Sequence, residues 1–202
     1  FSAYRWFQKE MIRLLGQLLL WRAGLIAALV LALGMGFGRF AFTAVYPYMV
    51  SDGVLDIRAG SVAAAFNYGG YLLGALLAVR LHAKQSALAC VLAAAGTALC
   101  LGLLAVPLTP GMIMTVRAAA GVCSAFSLVA ASLWLFARHG QYHLAPLLYA
   151  GGGVGIALSS ELVVAGVALG WHSRALWLLL GMVAIGLLLP VWLGMGMKVL
   201  PP

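Results

Sequence analysis

Apolar residues run through this chain in long blocks, broken by short polar punctuation. Six blocks, 23–49, 60–81, 86–107, 111–137, 144–170 and 174–197, reach the length a helix needs to cross a bilayer, about 20 residues. The segments between them are brief: SDGVLDIRAGS at 51–61, VPLTPG at 106–111 and ARHGQYH at 137–143 are the clearest. Connections this short make successive helices antiparallel neighbours. The pattern predicts an all-α integral membrane protein, with six transmembrane helices filling residues 23–202 and no room among them for a soluble domain.

Residues 1–22 follow a different rhythm. Phe7, Met11, Leu14 and Leu18 recur at helical spacing, and Arg5, Lys9, Arg13 and Gln17 form the opposite stripe. That is the pattern of an amphipathic helix lying in a membrane interface. The same residues also fit an extended, tilted start of the first membrane helix. They lack the basic start, short apolar core and cleavage site of a signal peptide.

Composition agrees with the blocks. Hydrophobic residues make up 65% of the chain and charged residues 8%, against about 25% charged in soluble domains. The net charge of +8 does not point to nucleic acid once its placement is considered. Arg5, Lys9, Arg13, Arg22, Arg80, Lys84, Arg138 and Lys198 fall on one side of an alternating topology. Arg58 and Arg174 fall on the other, with Asp52 and Asp56. The bias places both termini in the cytoplasm, most simply at a bacterial inner membrane, with anionic lipid beside the basic residues. Trp21, Trp134, Trp171, Trp177 and Trp192 sit near predicted helix ends, where indole rings favour the interface.

Against this apolar background, four polar residues stand out. Arg39 lies about 15 residues into the first block, roughly 22 Å along a helix. Alternating topology brings Asn67, Arg117 and Glu161 to a similar depth from three other helices, with Tyr68 and Tyr71 at or just below that layer. Charges at such a depth cost several kcal/mol and mark substrate, ion or proton sites, or fixed internal pairs. Pairing Glu161 with Arg117 or Arg39 offsets much of the desolvation cost and leaves one arginine for an anionic ligand such as a carboxylate. On this view Arg39, Asn67, Tyr71 and Arg117 bind substrate, and Glu161 with Arg117 forms an ion pair or couples to protons. The alternative is a closed structural network of the same residues around water.

Glycines mark close helix contacts. Gly70 and Gly74 form a G-x-x-x-G pair, and Gly151, Gly152, Gly153 and Gly155 crowd the fifth block. Gly70, Gly74, Gly151, Gly152 and Gly155 are the expected packing positions. Gly34, Gly36 and Gly38 thin the first helix just before Arg39. Cys90, Cys100 and Cys123 lie inside apolar blocks and read as small apolar residues. Enzyme readings find no support: Ser124, Ser127, Ser159 and Ser160 lie within blocks, but His82, His139, His143 and His172 lie at helix ends or in loops. The spacing offers no phosphate loop, haem ligand pair or metal cluster, so no cofactor is expected.

The strings GMGFGRFAFTAVYPYM, FNYGGYLLGALLA, VRAAAGVCSAF and YAGGGVGIALSSEL on helices 1, 2, 4 and 5 resemble the amino-terminal half of a major facilitator superfamily transporter. Within it, the chain resembles the YbfB/YjiJ-like group. The resemblance spans about residues 23–198 and implies two inverted three-helix repeats. It also implies that helices 1 and 4 line a central path faced by Arg39 and Arg117, and that Arg117-x-x-x-Gly121 matches a helix 4 motif linked to proton coupling. The chain departs from the superfamily pattern in two places. ALLAVRLHAKQSA after Gly74 has no aspartate, and the helix 5 glycine run has no proline. The function so implied is half of a secondary transporter for a small anionic solute, paired with a second six-helix half or other membrane subunits. The alternative is a non-transporting structural subunit of a larger membrane complex.

Overall fold

The computed structural model describes residues 2–196, so Lys198 and the end of the sixth expected span lie outside the described residues. All regular structure among the described residues is helical. The first helix, α1, runs unbroken from Ser2 to Ser51: α-helical over Ser2–Leu31, π-helical over Ala32–Phe40 and α-helical again over Ala41–Ser51. Then follow α2 (Ile57–Ala78), α3 (Ser86–Leu104), α4 (Pro110–Ser132, with a π-helical end Leu133–Arg138), α5 (Ala145–Ala168) and α6 (Ser173–Met195). Six of these helical stretches are long and apolar enough to cross a membrane.

Local chemistry sets the ends. Asp56 caps α2, its carboxylate accepting from the Ala59 N–H at 2.6 Å, so α2 begins at Ile57 rather than at residue 60. Hydropathy assigns Arg58 to the loop, whereas the cap draws it into the first turn. Thr109 caps α4 in the same way, accepting from the Met112 N–H at 3.3 Å, with Pro110 in the first turn, where its missing N–H costs nothing. Gly53 turns the chain out of α1 with φ +73°, a left-handed conformation that a residue with a β-carbon resists.

The packing is pairwise. α1 lies along α5, α2 along α4, and α3 along α6, with α4 also against α1 and α3. Exchanging α1, α2 and α3 for α4, α5 and α6 maps the first pair onto the second and the third onto itself. This is the arrangement of two inverted three-helix repeats. Small residues allow the approach. A β-carbon on Gly70 or Gly74 would overlap the α4 backbone at Ala118 or Val122, and one on Gly151 or Gly155 would overlap the α1 backbone at Ala28 or Ala32. Gly152 is different: a β-carbon there would meet Leu31 at an ordinary 3.8 Å.

Two tryptophans depart from the expected interfacial belt. Trp134 and Trp177 are fully buried between helices. Trp177 stacks on Phe42 with ring centroids 6.4 Å apart and donates its indole N–H to the Met49 sulfur at 3.3 Å. Trp134 meets His139 edge to face at 4.8 Å. Sequence position near a helix end does not reveal which face a ring occupies, and here the inward face wins. Trp21, Trp171 and Trp192 are exposed. At the amino end, α1 contributes to the core from Ala23 onward, while Tyr4, Trp6, Phe7, Ile12 and Leu18 stand exposed on the helix before it.

Candidate functional site

The π-helical stretch of α1 is the centre of the site. Its turns are wider than α-turns, and the Ala41 N–H reaches five residues back to the Gly36 carbonyl. The extra width leaves carbonyl oxygens open to side chains from neighbouring helices. Ser124 of α4 donates to the Gly34 carbonyl at 2.6 Å, and Ser159 of α5 donates to the Gly36 carbonyl at 3.3 Å. Arg117 of α4 donates through one terminal nitrogen to the Gly38 carbonyl at 3.0 Å and through the other to the Arg39 carbonyl at 3.1 Å. The glycines let this contact form: a β-carbon on Gly36 would overlap Gly155, and one on Gly34 would overlap Ser127. Sequence and conformation are thus linked here, since bare α1 positions admit donors that hold the wider turn.

This arrangement divides the expected polar layer into two parts. Arg117 is 2% exposed, both terminal nitrogens already donate, and its guanidinium lies 4.4 Å from the centroid of the Phe42 ring. Asn67 is equally buried and donates to the Arg117 backbone carbonyl at 2.9 Å, tying α2 to α4. Both are inward structural ties in this structure. Arg39 and Tyr71 are only partly buried, and Tyr68 is exposed.

Arg39 sits in an aromatic cup. Its guanidinium carbon lies 4.4 Å from the Tyr71 ring centroid, 5.0 Å from Tyr68 and 5.5 Å from Phe40. Rings at such distances attract a cation through their quadrupoles. The Nε atoms of Arg39 and Arg117 are both buried without a hydrogen-bond partner, but the terminal nitrogens of Arg117 are engaged and those of Arg39 have no acceptor among the described residues. A guanidinium about 12 residues from the end of its helix, roughly 18 Å along it, therefore keeps donors free for an outside acceptor.

Glu161 does not complete the layer. It lies on the exposed face of α5, opposite Gly155 and Ser159, and among the described residues no direct ion pair joins it to Arg39 or Arg117. The expected pairing fails because Arg117 finds its acceptors in the widened α1 backbone. Depth arithmetic places residues along a helix axis but leaves out which way they face.

Tyr68 beside Arg39, and Ser124 and Ser159 against the α1 backbone, join the residues expected from the sequence. The two serines, on α4 and α5, meet carbonyls of the α1 glycines Gly34 and Gly36, contacts between distant parts of the chain. Nothing in the sequence alone marks a π-helix.

The main hollows lie elsewhere. One of about 410 Å³, lined by Leu88, Leu92 and Phe126, sits between α3 and α4. Another of about 670 Å³, lined by Phe66, Leu73 and Val122, sits between α2 and α4. Both are lined mainly by apolar side chains, unlike the cup around Arg39. Two more, of about 710 and 260 Å³, border the 1–2 connection, the smaller one also reaching the 5–6 connection. There Asp52 accepts from the Ser173 N–H at 2.7 Å and lies 3.2 Å from the His172 Nδ1, clasping the two connections together. The Ser173 N–H holds the Asp52 carboxyl below its ordinary range.

Comparison with known proteins gives one family. The family model described as "Uncharacterised MFS-type transporter YbfB" matches residues 31–199, most of the chain. Neither the curated proteins nor the solved structures gave a match.

Proposed function

Since the chain belongs to the family of YbfB-like MFS-type transporters, we propose that it forms one six-helix half of a secondary active transporter for a small anionic solute. The free guanidinium of Arg39 in its aromatic cup carries this reading. An arginine at that depth without an acceptor is costly unless a ligand or water-filled path meets it. Arg39 takes the solute, Tyr71 lines the same site, and Arg117 and Asn67 position α1 and α4 behind it. Glu161, on the exposed face of α5, is the candidate proton-coupling group.

The open side around Arg39 and Tyr68 calls for a second wall, supplied by another six-helix half or a further membrane subunit. The distribution of Arg5, Lys9, Arg13, Arg22, Arg80, Lys84 and Arg138 supports both termini on the cytoplasmic side of a bacterial inner membrane. Residues 1–22 lie along the lipid surface or extend α1 through it.

Uptake of a small carboxylate by proteoliposomes, made with whatever partner co-purifies, tests the proposal. Arg39-dependent accumulation supports it. A stable complex with unrelated subunits, and no Arg39-dependent flux of any carboxylate, supports a structural subunit instead.

A further inference from the structure

Resting on the reading that Arg39 receives the solute, we infer that the solute is an aromatic monocarboxylate, its carboxylate on Arg39 and its ring against Tyr68 and Phe40. The charge follows from the donors. Of the two guanidinium groups in the layer, Arg117 is 2% exposed with both terminal nitrogens engaged, so one fork faces outward. Asn67 is 2% exposed and its amide nitrogen is already committed to a carbonyl. A carboxylate satisfies one fork through two parallel hydrogen bonds. A second carboxylate on the same molecule would lie against the aromatic rings of this half, which offers it no further free cation among the described residues, at a desolvation cost.

The body follows from the rings. Tyr71, Tyr68 and Phe40 all come within 5.5 Å of the guanidinium carbon. Tyr68 remains 58% exposed and Phe40 37% exposed, so their surfaces are open beside the fork. A carboxylate gripped in the plane of the guanidinium projects its substituent past these rings. A flat apolar body covers them and gains offset or edge-to-face contacts, while a methyl group leaves them bare.

The test is calorimetric titration of the chain, together with whatever partner co-purifies, in zwitterionic lipid discs with benzoate, terephthalate and acetate. Benzoate binds, and Arg39→Lys weakens it about tenfold, since lysine lacks the planar fork. Tyr68→Leu weakens benzoate about fivefold, the scale of one aromatic contact. The same change leaves acetate unaffected, and Tyr68→Phe restores benzoate. Terephthalate, with the same ring and a second charge, binds about tenfold more weakly than benzoate. Thermal unfolding of each variant separates lost binding from lost folding. Terephthalate binding as tightly as benzoate, or benzoate binding indifferent to Tyr68→Leu, overturns the aromatic monocarboxylate while an Arg39→Lys effect keeps the anion site. Absence of Arg39-dependent binding for all three probes overturns both.

Discussion

The guanidinium of Arg117 donates to the backbone carbonyl of Arg39 at 3.1 Å, so one arginine holds the chain that carries the other. A second bond from the same group, to the Gly38 carbonyl at 3.0 Å, fixes the end of the π-helical stretch. The two arginines, equal in sequence depth, thus do different work. Arg117 is buried with both terminal nitrogens engaged, whereas Arg39 is half-buried and its side chain makes no hydrogen bond among the described residues.

Removing Arg117 should therefore damage folding. Arg117→Ala strips two buried carbonyls of their donor, and about 3 kcal/mol of stability should be lost. Arg117→Lys should fall between alanine and the native residue, because one ammonium can reach one carbonyl but not hold both in a plane. Arg39→Lys should stay within about 1 kcal/mol of the native chain, as expected where no hydrogen bond is lost. Thermal unfolding of the purified protein in detergent checks the order.

The glycines give a second ordering. Gly155→Val and Gly70→Val place branched side chains against the backbones of α1 and α4, and each should cost 3 kcal/mol or more, roughly the upper range for overpacking. Gly152→Ala should be neutral or slightly stabilising, since its β-carbon meets Leu31 at 3.8 Å and alanine favours the helix by about 1 kcal/mol. Yield of monodisperse protein and its unfolding temperature measure both. A Gly152→Ala variant as damaged as Gly155→Val would contradict the packing described here.

The fold was legible because bilayer thickness acts on composition directly. Apolar runs such as 111–137, short loops and the resemblance on helices 1 and 2 all led to one answer, six helices in two repeats. The site was legible only along the helix axis. Arg39, Asn67, Tyr71 and Arg117 do come together, but depth could not show that Arg117 and Asn67 turn inward or that Glu161 turns outward. The facing of Arg117 depends on the π-helical α1 backbone, which exists through bonds from Ser124, Ser159 and Arg117 itself. Those are long-range contacts that no local pattern encodes. The same limit explains Trp134 and Trp177, placed by sequence at the interface and by packing in the core.

Stability should fall on mild acidification through His139. Burial, then the neighbouring Arg138, holds its imidazole below the ordinary value of 6.5. The folded chain binds that proton less readily than the unfolded chain, so stability rises with pH. Its contribution is present above about pH 6.5 and is lost as pH falls toward the folded value. The unfolding temperature should drop between pH 7.5 and 5.5, and His139→Gln should flatten part of that drop. An unchanged slope in His139→Gln would remove this role.

Glu161→Gln separates coupling from structure. The residue is exposed and unpaired among the described residues, so the change should alter stability by less than about 0.5 kcal/mol. If Glu161 carries the coupled proton, flux of the variant should lose its response to an imposed pH gradient while exchange of solute across equal pH persists. Retention of the gradient response would assign coupling elsewhere.

The most direct test of the account compares Arg39→Lys with Arg117→Lys in one assay: carboxylate uptake by proteoliposomes, divided by the amount of folded protein. Arg39→Lys should give near-native folded protein with uptake per molecule reduced about tenfold, as loss of a two-point grip implies. Arg117→Lys should instead lower the amount of folded protein, with the molecules that do fold retaining most of their uptake. The reverse result, with Arg39→Lys lost at folding and Arg117→Lys folded but inactive, would contradict the division of labour between the two arginines.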